Sequence, residues 1–200
     1  MSMTLRAIPY ASTLEKATQE MHIGCSVGLS TRFLTDEFPS AKVTGIDMSP
    51  YFLLVAQYKE KERSPRKNPI TWIHAAGENT GSQSESFGYV FHECPERAII
   101  ALVNEAFRLL KPGGTLSITD QAPKSKIIQE LPPALFTLMK STEPFLNEYN
   151  LTDLEGRLRE AGFVTVKSML TDPRHMTMTA SVPLKPKAFK SSNFESEGLF

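Results

Sequence analysis

The spacing of hydrophobic positions changes character several times along the chain. Residues 41–47, "AKVTGID", are short, rich in β-branched side chains and end on an aspartate, which predicts a strand. "SPYFLLVAQYKEKER" follows with apolar residues at helical spacing. Ser49 is placed to cap that helix and Pro50 to occupy its first position. "NPITWIHAAGE" carries the next strand. "PERAIIALVNEAFRLLKPGG" predicts a strongly amphipathic helix that starts at Pro95 and stops at Gly113-Gly114. "TLSITD", 115–120, is another strand. "LTDLEGRLREAGF" reads as a helix with Thr152 as cap, Leu154, Leu158 and Ala161 on one face, and Gly162 at its end. "FVTVKSML" and "HMTMTASV" alternate as two strands that pair antiparallel.

The remaining segments carry weaker patterns. Residues 12–21 read as helix, with Ser12 and Glu15 as a capping box. Residues 29–37 read as a helix broken by Pro39-Ser40. Residues 81–86 are a polar loop, and "FGYVF", 87–91, is a short strand at most. "LPPALFTLMKSTEPF" suggests a broken helix, and the stretch from Pro183 has no period and is expected to be disordered. The expected organisation is an N-terminal helical segment over 1–21, one domain over 22–182, and a tail over 183–200. Strand and helix alternate, so the expected architecture is an open α/β sheet, mostly parallel with an antiparallel closing strand and helices on both faces. In such sheets a ligand sits outside the carboxyl ends of the strands, near the topological switch point.

Composition narrows the function. Lysine plus arginine equals aspartate plus glutamate, 22 each, so there is no nucleic-acid footprint and no general attraction to anionic membranes. No apolar run approaches the roughly 18–20 residues of a membrane span. The two cysteines, Cys25 and Cys94, have no metal-ligand spacing, and no metal is expected. A soluble protein of a reducing compartment, cytoplasmic or plastid, fits these features. The first fourteen residues lack acidic side chains and contain Arg6 with several hydroxyls, a faint likeness to an organelle leader.

The candidate chemistry lies in "MHIGCSVGLSTRF". Gly24 and Gly28 flank a loop that enters a helix, where glycines permit close backbone approach and free N–H groups favour an anion. Asp47 ends a strand about 20 residues later, where an acid can accept the two ribose hydroxyls of an adenosine. A nicotinamide dinucleotide and S-adenosylmethionine both fit this order. Ser26 stands at the middle glycine of the dinucleotide fingerprint, which leans away from the first.

"IGCSVGLSTRFL", "VTGIDMSPYFLLVAQYK", "ITWIHAAGENTG" and "EAFRLLKPGGTLSITD" occur in sequence, and together they resemble the successive motifs of class I S-adenosylmethionine-dependent methyltransferases. The nearest likeness is to plant methyltransferase-domain proteins of the ubiquinone/menaquinone-methyltransferase-like type. The resemblance implies that Gly24, Cys25, Ser26 and Gly28 hold the methionine moiety and that Asp47 binds the ribose. Met48 would pack on the adenine, and Gly77, Glu78 and Asn79 would meet its edge. His92 and Glu93 fall where substrate-facing groups are expected, with His92 as a general base, and "LPPALFTLMKSTEPF" falls where a substrate lid is expected. The acceptor would be a small molecule.

Two departures set further expectations. The family pattern has an apolar first strand ending in an acidic residue two positions before the first glycine. Here that residue is His22, after the polar "KATQE". The fourth strand is short, since Gly88 follows Phe87 directly. Both strands are therefore expected to be defective, as in an N-terminally shortened form. Two alternatives stay open: a catalytically impaired or non-catalytic form acting through protein contacts, and an NAD(P)-binding reductase.

Overall fold

The computed structural model describes residues 19–77 and 91–184. Three parallel strands form the first sheet: β1 (Gln19–Ile23), β2 (Lys42–Asp47) and β3 (Thr71–His74), in the order β1-β2-β3. The second sheet is antiparallel, with β4 (Thr115–Gln121), β5 (Val164–Leu170) and β6 (His175–Ser181) in the order β4-β6-β5. The expected pairing of the two final strands is present, with a register shift between Val164 and Lys167.

The helices connect as α/β crossovers require. α1 (Leu29–Glu37) joins β1 to β2, and α2 (Pro50–Lys61) joins β2 to β3. Ser49 caps α2 as expected, its hydroxyl accepting from the Phe52 N–H at 3.3 Å, with Pro50 at the first position. α3 (Glu96–Leu109) precedes β4. Three short helices follow β4: α4 (Lys126–Gln129), α5 (Pro133–Thr142) and α6 (Leu146–Leu151). α7 (Leu154–Ala161) then leads into β5. Its cap is Asp153, one residue beyond the expected Thr152: the Asp153 carboxylate accepts from the Gly156 N–H at 3.1 Å. Thr152 instead donates its hydroxyl to the Glu148 carbonyl of the preceding helix.

One hydrophobic core joins the two sheets. Met21, Ile23 and Ile46 from the first sheet meet Leu116, Ile118, Met178 and Ala180 from the second, with Ile99, Leu102 and Val103 of α3 and Leu154 and Leu158 of α7. This is why α3 shows the clearest amphipathic pattern in the chain. Its apolar face is buried in the core common to both sheets.

The first strand corrects two expectations. Residues 19–21 belong to β1 rather than to a helix; residues 12–18, with the capping box, lie outside the described residues. β1 is also not defective, for it pairs in parallel with β2 from Gln19↔Lys42 to Ile23↔Ile46. Its alternation is real but two of its inward positions are polar. Met21 and Ile23 enter the core, while Glu20 and His22 are buried on the opposite face, at 2% and 3% exposure. Thr31 of α1 meets that face, and Arg32 and Thr35 of the same helix are buried too. The His22 ring nitrogen Nδ1 lies 2.7 Å from the Thr31 hydroxyl. A polar helix face meets a polar strand face, so the strand buries without an apolar run.

The expected fourth strand, 87–91, lies outside the described residues except for its last residue. Phe91 is buried and opens a short 3-10 turn, Phe91–Glu93. The tail beyond residue 184 also lies outside the described residues.

Burial of His22 has a consequence for stability. Loss of hydration pushes its pKa down to about 4, against the opposing pull of the Asp47 charge. Between that value and the ordinary histidine range the unfolded chain binds a proton that the folded chain does not. Stability on this account is full above the ordinary range and falls as pH drops, by roughly 3 kcal/mol in all. Replacing His22 with Gln should flatten the difference in unfolding free energy between pH 7 and pH 4.5, measured by urea denaturation. An equally steep loss in the variant would assign the effect to other groups.

Candidate active site

The site forms where the carboxyl ends of β1, β2 and β3 open beside the turn before α3. The backbone of residues 24–28 curls sharply here, with φ of 68° at Gly24, 48° at Ser26 and 76° at Gly28. A Cβ on Gly28 would stand 2.5 Å from the Trp72 ring, so both its conformation and its neighbour demand glycine. Ser26 takes the left-handed conformation with a side chain, at the position where the dinucleotide fingerprint has glycine.

Asp47 fixes this loop. Its Oδ2 accepts the Ser26 N–H at 2.7 Å and its Oδ1 accepts the Ser49 N–H at 2.8 Å. The Cys25 N–H donates to the Ile46 carbonyl at 3.0 Å, and the Gly28 N–H to the Cys25 carbonyl at 2.8 Å. The loop is thus stitched to the end of β2 by backbone and carboxylate together.

A cleft of about 340 Å³ opens beside the loop. Gly24, Ser26, Asp47, Met48 and Gly77 line it, and so do His92 and Glu93. Seven of the residues singled out in the sequence therefore share one cavity. Cys25 and Gly28 do not line it. The Cys25 side chain is buried under the loop, where lost hydration and then the Asp47 charge push its thiol up to about 12. Gly28 is spent on the Trp72 contact. Glu78 and Asn79 lie outside the described residues. Phe52, Cys94 and Leu102 complete much of the wall; nothing in the sequence pattern distinguishes them from ordinary core residues.

His92 is more tightly held than its sequence position suggests. Asp120, the last acidic residue of β4 and 2% exposed, receives two groups from it. The His92 Nδ1 lies 2.6 Å from Asp120 Oδ1, and the His92 backbone N–H donates to Oδ2 at 3.2 Å. The Gln121 N–H also donates to Oδ1, at 2.7 Å. The hydrogen bond that the ring donates to Asp120 raises the His92 pKa above the ordinary range, against the effect of burial, with Glu143 and Glu93 adding smaller contributions. Glu93 is mostly exposed, its carboxylate 3.8 Å from His92 Nε2. Tyr149 of α6 meets the imidazole edge-on at 6.4 Å between ring centres and donates its hydroxyl to the Gln121 carbonyl at 2.7 Å. Asp120 was visible in the sequence only as a strand-ending aspartate, the same signal that marked Asp47.

The other two described histidines outside the cleft and the His22 site make contacts within the protein. His74 ends the edge strand β3 and lies 2.9 Å from the Met48 carbonyl, and His175 pairs with Asp172 at 2.8 Å. Among the described residues no group of three His, Cys, Asp or Glu side chains could hold a metal ion. No described helix is long and apolar enough to cross a membrane.

Strand order, the glycine loop and the strand-ending acid together form a nucleotide-type α/β cleft. Residues 21–114 match the methyltransferase domain family. In sequence and in fold the chain is similar to S-adenosylmethionine-dependent methyltransferases. It is 31% identical over 123 residues to the mitochondrial 2-methoxy-6-polyprenyl-1,4-benzoquinol methylase of Caenorhabditis elegans, covering 58% of this chain and 41% of that protein. It is 30% identical over 169 residues to the demethylmenaquinone methyltransferase of Lactococcus lactis, covering 72% of this chain and 64% of that protein. The chain thus spans less than two thirds of the length of these relatives. Human N-acetylserotonin methyltransferase, solved in complex with S-adenosylmethionine, shares the fold. Its TM-score is 0.65 at 17% identity, over 89% of this chain and 51% of that one.

The strained Ser26 makes a stability test of the loop geometry. Ser26→Gly should raise the unfolding free energy by about 1 kcal/mol, because glycine adopts the left-handed conformation without the side-chain clash. Denaturant titration reads the change, and a loss of stability would place Ser26 in a different conformation.

Proposed function

We propose that the chain binds S-adenosylmethionine in the cleft at the carboxyl ends of β1 and β2 and supports methyl transfer to a small-molecule acceptor that reaches His92. The observation that carries this reading is the Asp47 carboxylate. It stands at the cleft wall, already bonded to the loop, with His92 across the same cavity.

The residues suit the group in size and chemistry. The cleft falls in the range of about 300–1,000 Å³ common for small-ligand sites. Each Asp47 oxygen has accepted one backbone N–H, and a carboxylate offers about four lone-pair directions, so two stay available for a ribose diol. Met48, 69% exposed, and Phe52 offer apolar surface to a flat base. At Gly77 a Cβ would come within 2.6 Å of Ile23 and 2.8 Å of Leu102, so that part of the wall admits no side chain. Glu78 and Asn79 follow directly and are assigned to the same end of the ligand. The loop backbone at Gly24 and Ser26 serves the methionine moiety.

When bound, the sulfonium supplies an activated methyl group. The protein's own task is then to orient the acceptor in line and to exclude competing geometry. His92 takes the role of proton acceptor and Glu93 that of a flanking carboxylate at the cleft mouth. α5, which buries none of its side chains and exposes Leu135 and Leu138, serves as the lid over the acceptor. The names of the two curated relatives refer to a benzoquinol and to demethylmenaquinone, which supports a ring-bearing acceptor. His22 lends the cleft no charge: it is buried against Thr31 and neutral near pH 7.

Calorimetric titration with S-adenosylhomocysteine tests the reading. Binding is expected, and Asp47→Ala should weaken it about tenfold to a hundredfold, the worth of hydrogen bonds to a charged group. No heat at millimolar ligand, or equal affinity in the variant, would refute it.

A further inference from the structure

α2 is apolar on two opposite sides, and the fold uses one of them. Leu53 and Ala56 are its buried residues. Tyr51, Leu54, Val55 and Tyr58 follow the spacing of a single helical stripe, and that stripe lies on the side away from Leu53 and Ala56. Tyr51 is 77% exposed, and Leu54 and Tyr58 are 63% exposed. A helix that is apolar all round is the kind that proteins cover on both sides.

α1 continues the same surface. Its Arg32 donates to the Ala56 carbonyl, and its Asp36 pairs with Arg63 and Arg66 just past the end of α2. Those contacts mark the flank of α1 that borders α2. Leu29 and Phe33 stand three residues before Arg32 and Asp36, next to them on that flank, and both are exposed. None of these six apolar side chains lines the cleft, so a ligand there does not account for them.

Two observations choose the occupant. The first is charge. Residues 48–58, "MSPYFLLVAQY", carry no charged side chain, and Lys59, Glu60, Lys61 and Glu62 all follow at the C-terminal end. Two copies of α2 laid antiparallel about a two-fold axis therefore meet through uncharged stretches. Their charged ends point apart, and their opposed dipoles favour this direction. The stripe is also symmetric for that pairing. With the axis between Leu54 and Val55, Tyr51 of one copy meets Tyr58 of the other. An anionic lipid surface suits the face less well, because the lysines alternate with glutamates and form no basic border. The second observation is area. At their exposures Tyr51, Tyr58 and Phe33 together offer on the order of 400 Å². Leu29, Leu54 and Val55 add to it, which brings the face near the roughly 800 Å² per partner of a stable interface.

We propose that the outer face of α1 and α2 is the contact between two copies of this chain, an isologous pair with the two α2 helices antiparallel. Leu54 and Val55 lie at the axis, the tyrosines pack across it, and Leu29 and Phe33 extend the contact along α1. The contact uses nothing in the cleft and stands apart from the methyl-transfer reading, so it is tested without ligand.

Analytical ultracentrifugation of the full chain reads the pair. The wild type should sediment as a concentration-dependent mixture of monomer and dimer at micromolar protein. Leu54→Glu should raise the dissociation constant about a hundredfold or more, because symmetry applies the change twice. Position 54 is exposed and glutamate is a good helix former, so the variant should keep its circular dichroism spectrum. Leu170→Glu, at a comparably exposed apolar position on β5, should leave the dimer intact. Leu54→Cys gives a positive readout: mild oxidation should join it to its counterpart across the axis, well above the wild-type level. Should Leu54→Glu fail to fold, the cross-link decides alone. A wild type that stays monomeric, whether or not it binds anionic lipid vesicles, would overturn the proposal. So would a dimer that folded Leu54→Glu leaves intact, one that Leu170→Glu breaks instead, or a Leu54→Cys chain that does not cross-link.

Discussion

The two oxygens of Asp47 hold the site together. One takes the N–H of Ser26 and so fixes a loop that follows β1. The other takes the N–H of Ser49 and so fixes the entry to α2. The carboxylate itself sits at the end of β2, between those two points. The loop conformation, with a serine at a positive φ, is affordable because this charge-assisted bond pins it. Remove the carboxylate and the loop loses its anchor, the α2 entry loses a partner, and the cleft loses a wall. The fold brings the same principle to its other sheet, where Asp120 at the end of β4 fixes the turn that carries His92.

These two aspartates explain why the cleft lies where it does. Each ends a strand, and each accepts backbone N–H groups from the segment that follows a different strand. The hydrophobic core lies beneath, where Ile23, Ile46 and Leu102 meet. Packing therefore sets the depth of the cleft, and the aspartates set its rim. The polar residues at the rim are mostly bonded within the protein before any ligand arrives, which spares the bound state the cost of ordering them.

Much of this was readable in the sequence because it rests on local rules. α2 is announced by Ser49-Pro50, α3 by its apolar period and α7 by Gly162. Asp47 stands out because it ends a β-branched run at the right distance from Gly24. β1 was not readable. Its second buried face is made of Glu20 and His22, and the burial of His22 makes sense only once Thr31 of α1 is known to meet it. A polar layer between strand and helix leaves no apolar signature in either. Asp120 was missed for a related reason: its partner His92 lies 28 residues earlier, and no spacing rule joins them. Cys25 and Gly28 show what the motif leaves unsaid. They belong to the loop motif, but one is buried beneath the loop and the other is packed on Trp72.

The site as a whole is most directly tested by mapping backbone amide shifts as S-adenosylhomocysteine is added. The changes should fall together on Gly24, Ser26, Asp47, Met48, Gly77 and His92, and leave Lys167 and Ser168 on the far strand β5 unmoved. Shifts confined to another surface, or the same pattern with NADH and none with S-adenosylhomocysteine, would contradict a methyl-transfer cleft at the ends of β1 and β2.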